Sequence, residues 1–343
     1  MANIFNNYFL SVADLLNKDN KRDDKNTNLQ NFINKPNNEM EWKYATTHEL
    51  EKIIKPLKSK NSHGYEEISN KIIKLSAPFI ISPLTYICNE ILKTGVFPDR
   101  LKYAIVRPIF KKGDKHKTSN YRPISLLTSF SKIVEKLIYN RLLLHLDKNN
   151  MLAKEQFGFR PHASTEQALY TMINGILTEL NDNRMVGEMF CDLQKAYDCV
   201  NHETLMDKLE FYGIQGEFKT LIKSYLTERF QKVTLGNTIE NRKSSKWKQI
   251  RNGVPQGSIL CPLLFLIYIN DLPSTTEKDV KMILYADDTS ILITGANKRD
   301  FNENCKKAFQ DINAWFINNR LTLNFNNNQF LEFRTNHYSN DII

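Results

Sequence analysis

Two short apolar runs, Val280 to Leu284 and Ile291 to Thr294, bracket the tetrapeptide Tyr285-Ala286-Asp287-Asp288. Each run predicts a buried strand, and the gap between them is short enough for a tight hairpin. Ala104 to Phe110 and Met185 to Asp192 read as strands too, as do the segments around Gly236-Asn237, Leu321 to Phe325 and Phe330 to Phe333. Helical spacing appears first in residues 1–16, with Ile4, Phe5, Phe9, Leu10 and Ala13 on one side. It returns over Glu49 to Leu57 and Ile72 to Leu92. A long helix is predicted from about Ser125 to Leu146, because Leu126, Phe130, Ile133, Val134, Leu137 and Leu144 follow i, i+3, i+4 spacing. Further helices are predicted near Thr165 to Leu180, His202 to Tyr212, Phe218 to Thr227, Ile259 to Ile269 and Asp300 to Asn318. Residues 17–40 are rich in Asn, Asp and Lys and poor in apolar groups, which predicts a flexible linker.

Composition adds a bias toward a polyanionic partner. The 343 residues suffice for one large domain or two ordinary ones, and 41% hydrophobic with 25% charged content is that of a soluble globular protein. The formal net charge is +9, and the cations are clustered. Arg107, Lys111, Lys112, Lys115, Lys117 and Arg122 form one group; Arg242, Lys243, Lys246, Lys248 and Arg251 form another, with Trp247 inside it. Cations with an interleaved aromatic suit phosphate contact plus base stacking, although a solvated loop has the same composition. The five cysteines are odd in number and lack C-x-x-C spacing, which argues against a disulfide framework or a zinc site. Ile259 to Ile269, the longest apolar run, contains Pro262 and is well short of the roughly 20 residues of a membrane helix. The first residues carry no basic n-region. An intracellular protein without a membrane partner is expected, nuclear or cytoplasmic.

The chemistry is concentrated at the predicted hairpin. Asp-Asp in a turn is by itself common, since Asp tolerates turn geometry and bonds its own backbone. A second acidic strand end, Asp192 in Phe190-Cys191-Asp192, changes its meaning. Adjacent carboxylates repel and need a cation, and three of them from two strand ends can hold two Mg²⁺ ions roughly 3.5–4 Å apart for in-line phosphoryl transfer. Gly253-Val-Pro-Gln-Gly257 adds two glycines and a proline where the backbone passes close to a ligand. This pattern points to making or breaking phosphodiester bonds.

Asn120-Tyr-Arg-Pro-Ile-Ser-Leu126, Gln156-Phe-Gly-Phe-Arg160, Phe190-Cys-Asp-Leu-Gln-Lys-Ala-Tyr-Asp198, Gly253-Val-Pro-Gln-Gly-Ser-Ile-Leu260 and Tyr285-Ala-Asp-Asp288 occur in that order. Together, from about Glu51 to Phe333, they resemble the reverse transcriptase of non-LTR (LINE-type, jockey-like) retrotransposons. The resemblance implies an α+β, right-hand polymerase fold with fingers and palm, the palm an antiparallel sheet backed by helices. Blocks expected on this basis are a helix and linker (1–40), fingers with part of the palm (41–184), the palm with its carboxylates (185–335) and a short tail (336–343). It implies Asp192, Asp287 and Asp288 as catalytic metal ligands, joined by the Leu193 carbonyl, with two Mg²⁺ ions, or Mn²⁺ in their place. Lys111, Lys112 and Arg122 would grip the incoming triphosphate, with either lysine eligible. Tyr197 would be the steric gate that crowds a ribose 2′-hydroxyl, an ordinary core aromatic being the alternative. Gln256 and Gly257 would lie against the nucleotide, and Gln156, Gly158 and Arg160 along the template. RNA template, DNA primer and deoxynucleoside triphosphates are the implied partners.

Departures from the family pattern are visible. Asn327 stands where the family carries a Lys thought to protonate the leaving pyrophosphate, a general-acid role Asn cannot fill. Cys261 stands where Gly is usual before Pro262. The thumb is expected to be largely missing, supplied by a further segment or a partner, and no endonuclease segment is expected ahead of residue 1. Beside the polymerase stands the alternative of a non-catalytic nucleic-acid-binding remnant that keeps the fold. A viral RNA-dependent RNA polymerase is disfavoured, because a small residue would be expected in place of Tyr197.

Overall fold

The computed structural model describes residues 1–17, 39–59, 63–236, 241–325 and 328–334. The predicted linker (residues 17–40, all but its ends), Asn237, Asn327 and the tail from 336 therefore lie outside the described residues. The chain begins with α1 (Ala2–Asn17), α2 (Thr47–Ile54) and α3 (Asn70–Thr94), followed by β1 (Tyr103–Phe110) and β2 (Tyr121–Leu126). Next come α4 (Ser129–Lys148), α5 (Thr165–Asn181), β3 (Met185–Cys191), α6 (His202–Phe211) and α7 (Gly216–Leu226). Then follow β4 (Arg229–Leu235), β5 (Lys243–Ser244), β6 (Lys248–Ile250) and α8 (Cys261–Ile269). The last elements are β7 (Val280–Tyr285), β8 (Asp288–Gly295), α9 (Lys298–Asn318) and β9 (Gln329–Phe333). Polar caps start many of the helices where the sequence supplies them. Thr46, Ser69, Thr128 and Asn201 each accept a backbone N–H of the first turn, and Ser164 with Gln167 forms a capping box.

These elements form two compact units interleaved in sequence. One takes residues 1–15, 35–151 and 197–265; the other takes 16–34, 152–196 and 266–343. In the first, a sheet runs β2-β1-β4-β5, with β6 also on β4, and β1 lies parallel to β4. Helix α1 covers one face of this sheet, where Phe5 and Phe9 pack with Val106 and Val233 and against Tyr121. Its predicted side is largely right, but Ile4 is 59% exposed.

The structure corrects the helix expected from Ser125. Residues 121–126 are an edge strand paired antiparallel with β1, and α4 starts only at Ser129. Pro108 and Pro123 face each other across this pair. Neither breaks a ladder: β2 is an edge strand, and β1 meets β4 only over Tyr103 to Val106. Leu144, counted above as core, is 70% exposed. Among the described residues, helix α3 is long and apolar enough, by length and composition only, to cross a membrane. It contains Pro78 and Pro83, and 22% of its apolar window is buried.

The second unit is built on the antiparallel sheet β7-β8-β3-β9. Helices back it on both faces. Ile176 of α5 packs with Val186 and Leu292, and Phe301 of α9 lies close to Gly187 and Gly295 on the opposite side. Trp315 of α9 donates its indole N–H to Asp271 at 3.1 Å. The predicted strand Leu321 to Phe325 reduces to a single antiparallel bridge, Leu193 to Leu323.

Candidate active site

Strand β3, apolar apart from Gly187 and the buried Glu188, ends at Cys191, whose buried thiol is pushed up to about 11 by desolvation. Alternation then turns Asp192 to the other face. Strands β7 and β8 meet in the predicted hairpin, with Tyr285 opposite Asp288 and only Ala286 and Asp287 between them. Ala286 takes a φ of 58° at the first central position, the side of the map that the primed hairpin turns require. The ladder between β3 and β8 closes at Cys191 opposite Thr289. Continued by one step, that register would set Asp192 opposite Asp288, with Asp287 next to it in the turn. Far-apart parts of the sequence thus bring carboxylates to the same edge of one sheet.

The hairpin is held from outside by the segment expected to contact template. The Phe157 N–H donates to the Leu284 carbonyl, and the Leu284 N–H to the Glu155 carbonyl, both at 2.8 Å. Gln156 is buried, and its Oε1 accepts from the amides of Gly158 (2.7 Å) and Ala286 (3.0 Å). A Cβ on Gly158 would collide with the Ala286 nitrogen and stand 2.9 Å from the Tyr285 carbonyl carbon, so only glycine fits. Gln156 and Gly158 therefore serve the Asp-Asp turn, with the glutamine side chain spent inside the protein rather than offered to a template. Arg160 donates to the Ala153 carbonyl at 2.7 Å. It also lines an open basin of about 570 Å³ with Lys154, His162 and Tyr170.

A second network supports Asp192. The Asn324 backbone N–H donates to its carbonyl at 2.8 Å, and Asn324 Nδ2 donates to its Oδ2 at 2.8 Å. The Asp192 N–H in turn donates to Asn328 Oδ1 at 3.1 Å. The adjoining bridge uses the Gln194 N–H, donated to the Thr322 carbonyl at 2.9 Å, and the Asp192 carbonyl. Leu193 is the residue between, so its own carbonyl points to the other side of the strand. Neither asparagine has a role in the sequence-based expectation, where Asn324 falls only within the strand predicted over Leu321 to Phe325. The available signal was a polar residue placed directly after the alternating Leu321 and Leu323.

The remaining predicted residues belong to the first unit. Lys111, Lys112 and Arg122 are exposed on and beyond the β1–β2 pair. Gln256 donates Nε2 to Asp198 Oδ1 at 2.8 Å, and its carbonyl accepts the Ser125 N–H at 2.7 Å. Gly257 has a φ of 110°, and a Cβ there would stand 2.8 Å from the Ser125 carbonyl oxygen. Tyr197 is half-buried, its ring 4.6 Å from that of Phe265, and its carbonyl accepts the Val254 N–H at 2.9 Å. Tyr197, Asp198, Gln256 and Gly257 thus form one connected loop pair.

Among the described residues, no three His, Cys, Asp or Glu groups stand close enough together to hold a metal ion. The expected three-carboxylate cluster is accordingly not assembled as a closed site; Asp192 follows the end of β3, and Asp287 and Asp288 lie at the β7–β8 turn. Such an arrangement fits Mg²⁺ chemistry, which takes hard oxygen donors and commonly uses one or two carboxylates with substrate phosphates completing the shell.

The family described as "Reverse transcriptase (RNA-dependent DNA polymerase)" matches residues 109–337. The chain is 35% identical over 255 residues to the RNA-directed DNA polymerase from mobile element jockey of Drosophila melanogaster, covering 72% of this chain and 27% of that protein. It is 32% identical over 280 residues to the probable RNA-directed DNA polymerase from transposon BS of the same species, covering 78% and 30%. The jockey protein of Drosophila funebris is 31% identical over 287 residues, covering 82% and 31%. The chain thus spans 27–31% of the length of these relatives. The motifs, the two-strand acidic edge and the match over residues 109–337 agree, and the chain belongs to the reverse transcriptase (RNA-dependent DNA polymerase) family.

Proposed function

We propose that this chain carries the nucleotidyl-transfer site of an RNA-directed DNA polymerase, which extends a primer 3′-hydroxyl with deoxynucleoside triphosphates along an RNA template. The observation that supports the reading is the β3–β8 ladder, which closes at Cys191 opposite Thr289 and so ends just before Asp192 on one strand and just after Asp288 on the other. Asp192, Asp287 and Asp288, with the Leu193 carbonyl, would hold Mg²⁺, or Mn²⁺ in its place. Metal ions held by these residues would supply positive charge to acidify the primer hydroxyl and to offset charge on the leaving pyrophosphate.

The chain's own residues supply binding and selection. Exposed Lys111, Lys112 and Arg122 provide charge for the triphosphate, Arg as a planar fork and Lys as a point charge. Tyr197, braced by Phe265, presents a ring stiff enough to exclude a 2′-hydroxyl. Gln256, tied to Asp198 and Ser125, fixes the loop along which the nucleotide lies. The basin lined by Lys154, Arg160, His162 and Tyr170 offers cations and an exposed aromatic for the template strand. Work inside the cell, on RNA, suits five free cysteines and a net charge of +9.

Primer extension on an RNA template with deoxynucleotides and Mg²⁺ tests the reading. Incorporation by the natural protein and its loss in Asp287→Asn are expected. Equal incorporation by both would remove the assignment. Tight RNA binding without incorporation by either would support the non-catalytic remnant, which the Asn at position 327 favours.

A further inference from the structure

We infer that Asn324 is a positioning residue for Asp192: its side-chain amide sets the orientation of the carboxylate from which divalent-ion binding is built. The inference rests on the polymerase reading above. Asp192 lies one residue past the end of β3, where the cross-strand ladder no longer restrains it. Its carboxylate has two rotatable side-chain bonds, and negative neighbours at Asp287 and Asp288 favour swinging away. Asn324 counters this at both ends of the residue, through the backbone bond to the Asp192 carbonyl and the side-chain bond to Oδ2, each 2.8 Å. The segment is itself anchored, since Gln194 donates Nε2 to the Leu323 carbonyl at 3.3 Å and Asn328 accepts the Asp192 N–H.

The chemistry explains why an amide suits this place. An ionised carboxylate only accepts hydrogen bonds, so the Asn324 NH₂ must face it. A lysine or arginine would also donate, but its full charge would compete with the cation for the same oxygens. A carboxylate at 324 would repel Asp192. A neutral donor orients the oxygen without cancelling its charge, the task that outer-shell partners perform around metal ligands, where their loss commonly costs about 10–100-fold in metal affinity. The backbone bond of residue 324 persists whatever its side chain, which separates the tethering of the segment from the aiming of the carboxylate.

Mn²⁺ affinity of the full chain alone, read from the electron paramagnetic resonance of free Mn²⁺, tests this without reference to activity. Asn324→Leu and Asn324→Ala are expected to weaken Mn²⁺ binding by about tenfold or more. Asn324→Gln, which keeps a donor, should recover part of it. Phe325→Ala, at the exposed neighbouring position, is the control for general disturbance of the segment. Melting in chelator should be the same for the Asn324 variants and this control, while the Mg²⁺ concentration for half-maximal extension rises and the KM for nucleotide does not. If the leucine variant fails to fold, the alanine and glutamine variants carry the comparison. Unchanged Mn²⁺ affinity in the alanine variant, or an equal loss in Phe325→Ala, would overturn the inference and leave the polymerase reading intact. A natural protein that neither binds Mn²⁺ nor extends a primer would overturn both.

Discussion

Glu188 lies on β3, fully buried, four positions before Asp192 and on the same face of the sheet. Burial raises its carboxyl to about 7, with the neighbouring Ser290 hydroxyl acting in the opposite direction. Because the folded-state value exceeds the unfolded one, the native protein binds the extra proton. Stability is therefore greatest below about pH 4.5 as far as this group is concerned, and it falls as pH rises toward and through 7. Glu188→Gln removes the titration. Relative to the natural protein it should gain about 2–3 kcal/mol between pH 5 and pH 8 in urea unfolding, and a pH-independent difference would contradict this. At Gly158, added volume rather than charge is the issue. Gly158→Ala should cost roughly 1–3 kcal/mol through overpacking and impair primer extension, since the methyl group meets the backbone of the Asp-Asp turn. An alanine protein with natural melting and natural activity would refute that placement. The sequence marked Gly158 as part of a family motif but did not give the reason, because the backbone it must clear is that of residues 285 and 286.

The elements most legible in the sequence are those specified locally. The β7–β8 hairpin follows from two apolar runs and a two-residue turn. Helix α5 follows from its period and from Ser164 and Gln167, which form its capping box. Strand β2 was illegible for the opposite reason: its identity depends on pairing with β1, and Leu126 happens to continue the period of α4. Similarly, the period of α1 is evident, but which sheet it covers is not. Asn6 makes that docking specific. It is fully buried, donates to the Lys246 carbonyl at 3.1 Å and accepts from Gln231 Nε2 at 3.0 Å. Asn6→Ala strands a buried Gln231 amide and should cost about 1–3 kcal/mol. Ile4→Ser on the exposed side should change stability by less than about 0.5 kcal/mol. Chemical denaturation of both proteins checks the contrast, and equal losses would mean that α1 is held by its apolar area alone.

Across the whole molecule, the proposed reading gives each compact unit a separable part of the chemistry. The acidic edge, with the supports from Gln156 and Asn324, belongs to one; the triphosphate cations, Tyr197 and the Gln256–Gly257 loop belong to the other. A double variant, Lys111→Ala with Lys112→Ala, should raise the KM for nucleotide by about 10-fold or more, as expected for loss of a charge-assisted phosphate contact. Its Mn²⁺ affinity in the absence of nucleotide should stay natural, and a loss there would contradict the division of labour. The order of motifs already implied the chemistry at this scale. The interleaving of the units did not follow from it, because each unit is assembled from segments separated by stretches of the other. The account depends above all on Asp192 and Asp287 acting as one site, which single-turnover primer extension by Asp192→Asn, Asp287→Asn and the double variant measures directly. Each single substitution should lower the rate by about 10³-fold or more, with the double variant no worse than the weaker single, as for groups that act as a unit. Near-natural rates in either single variant, or losses that multiply in the double, would contradict it.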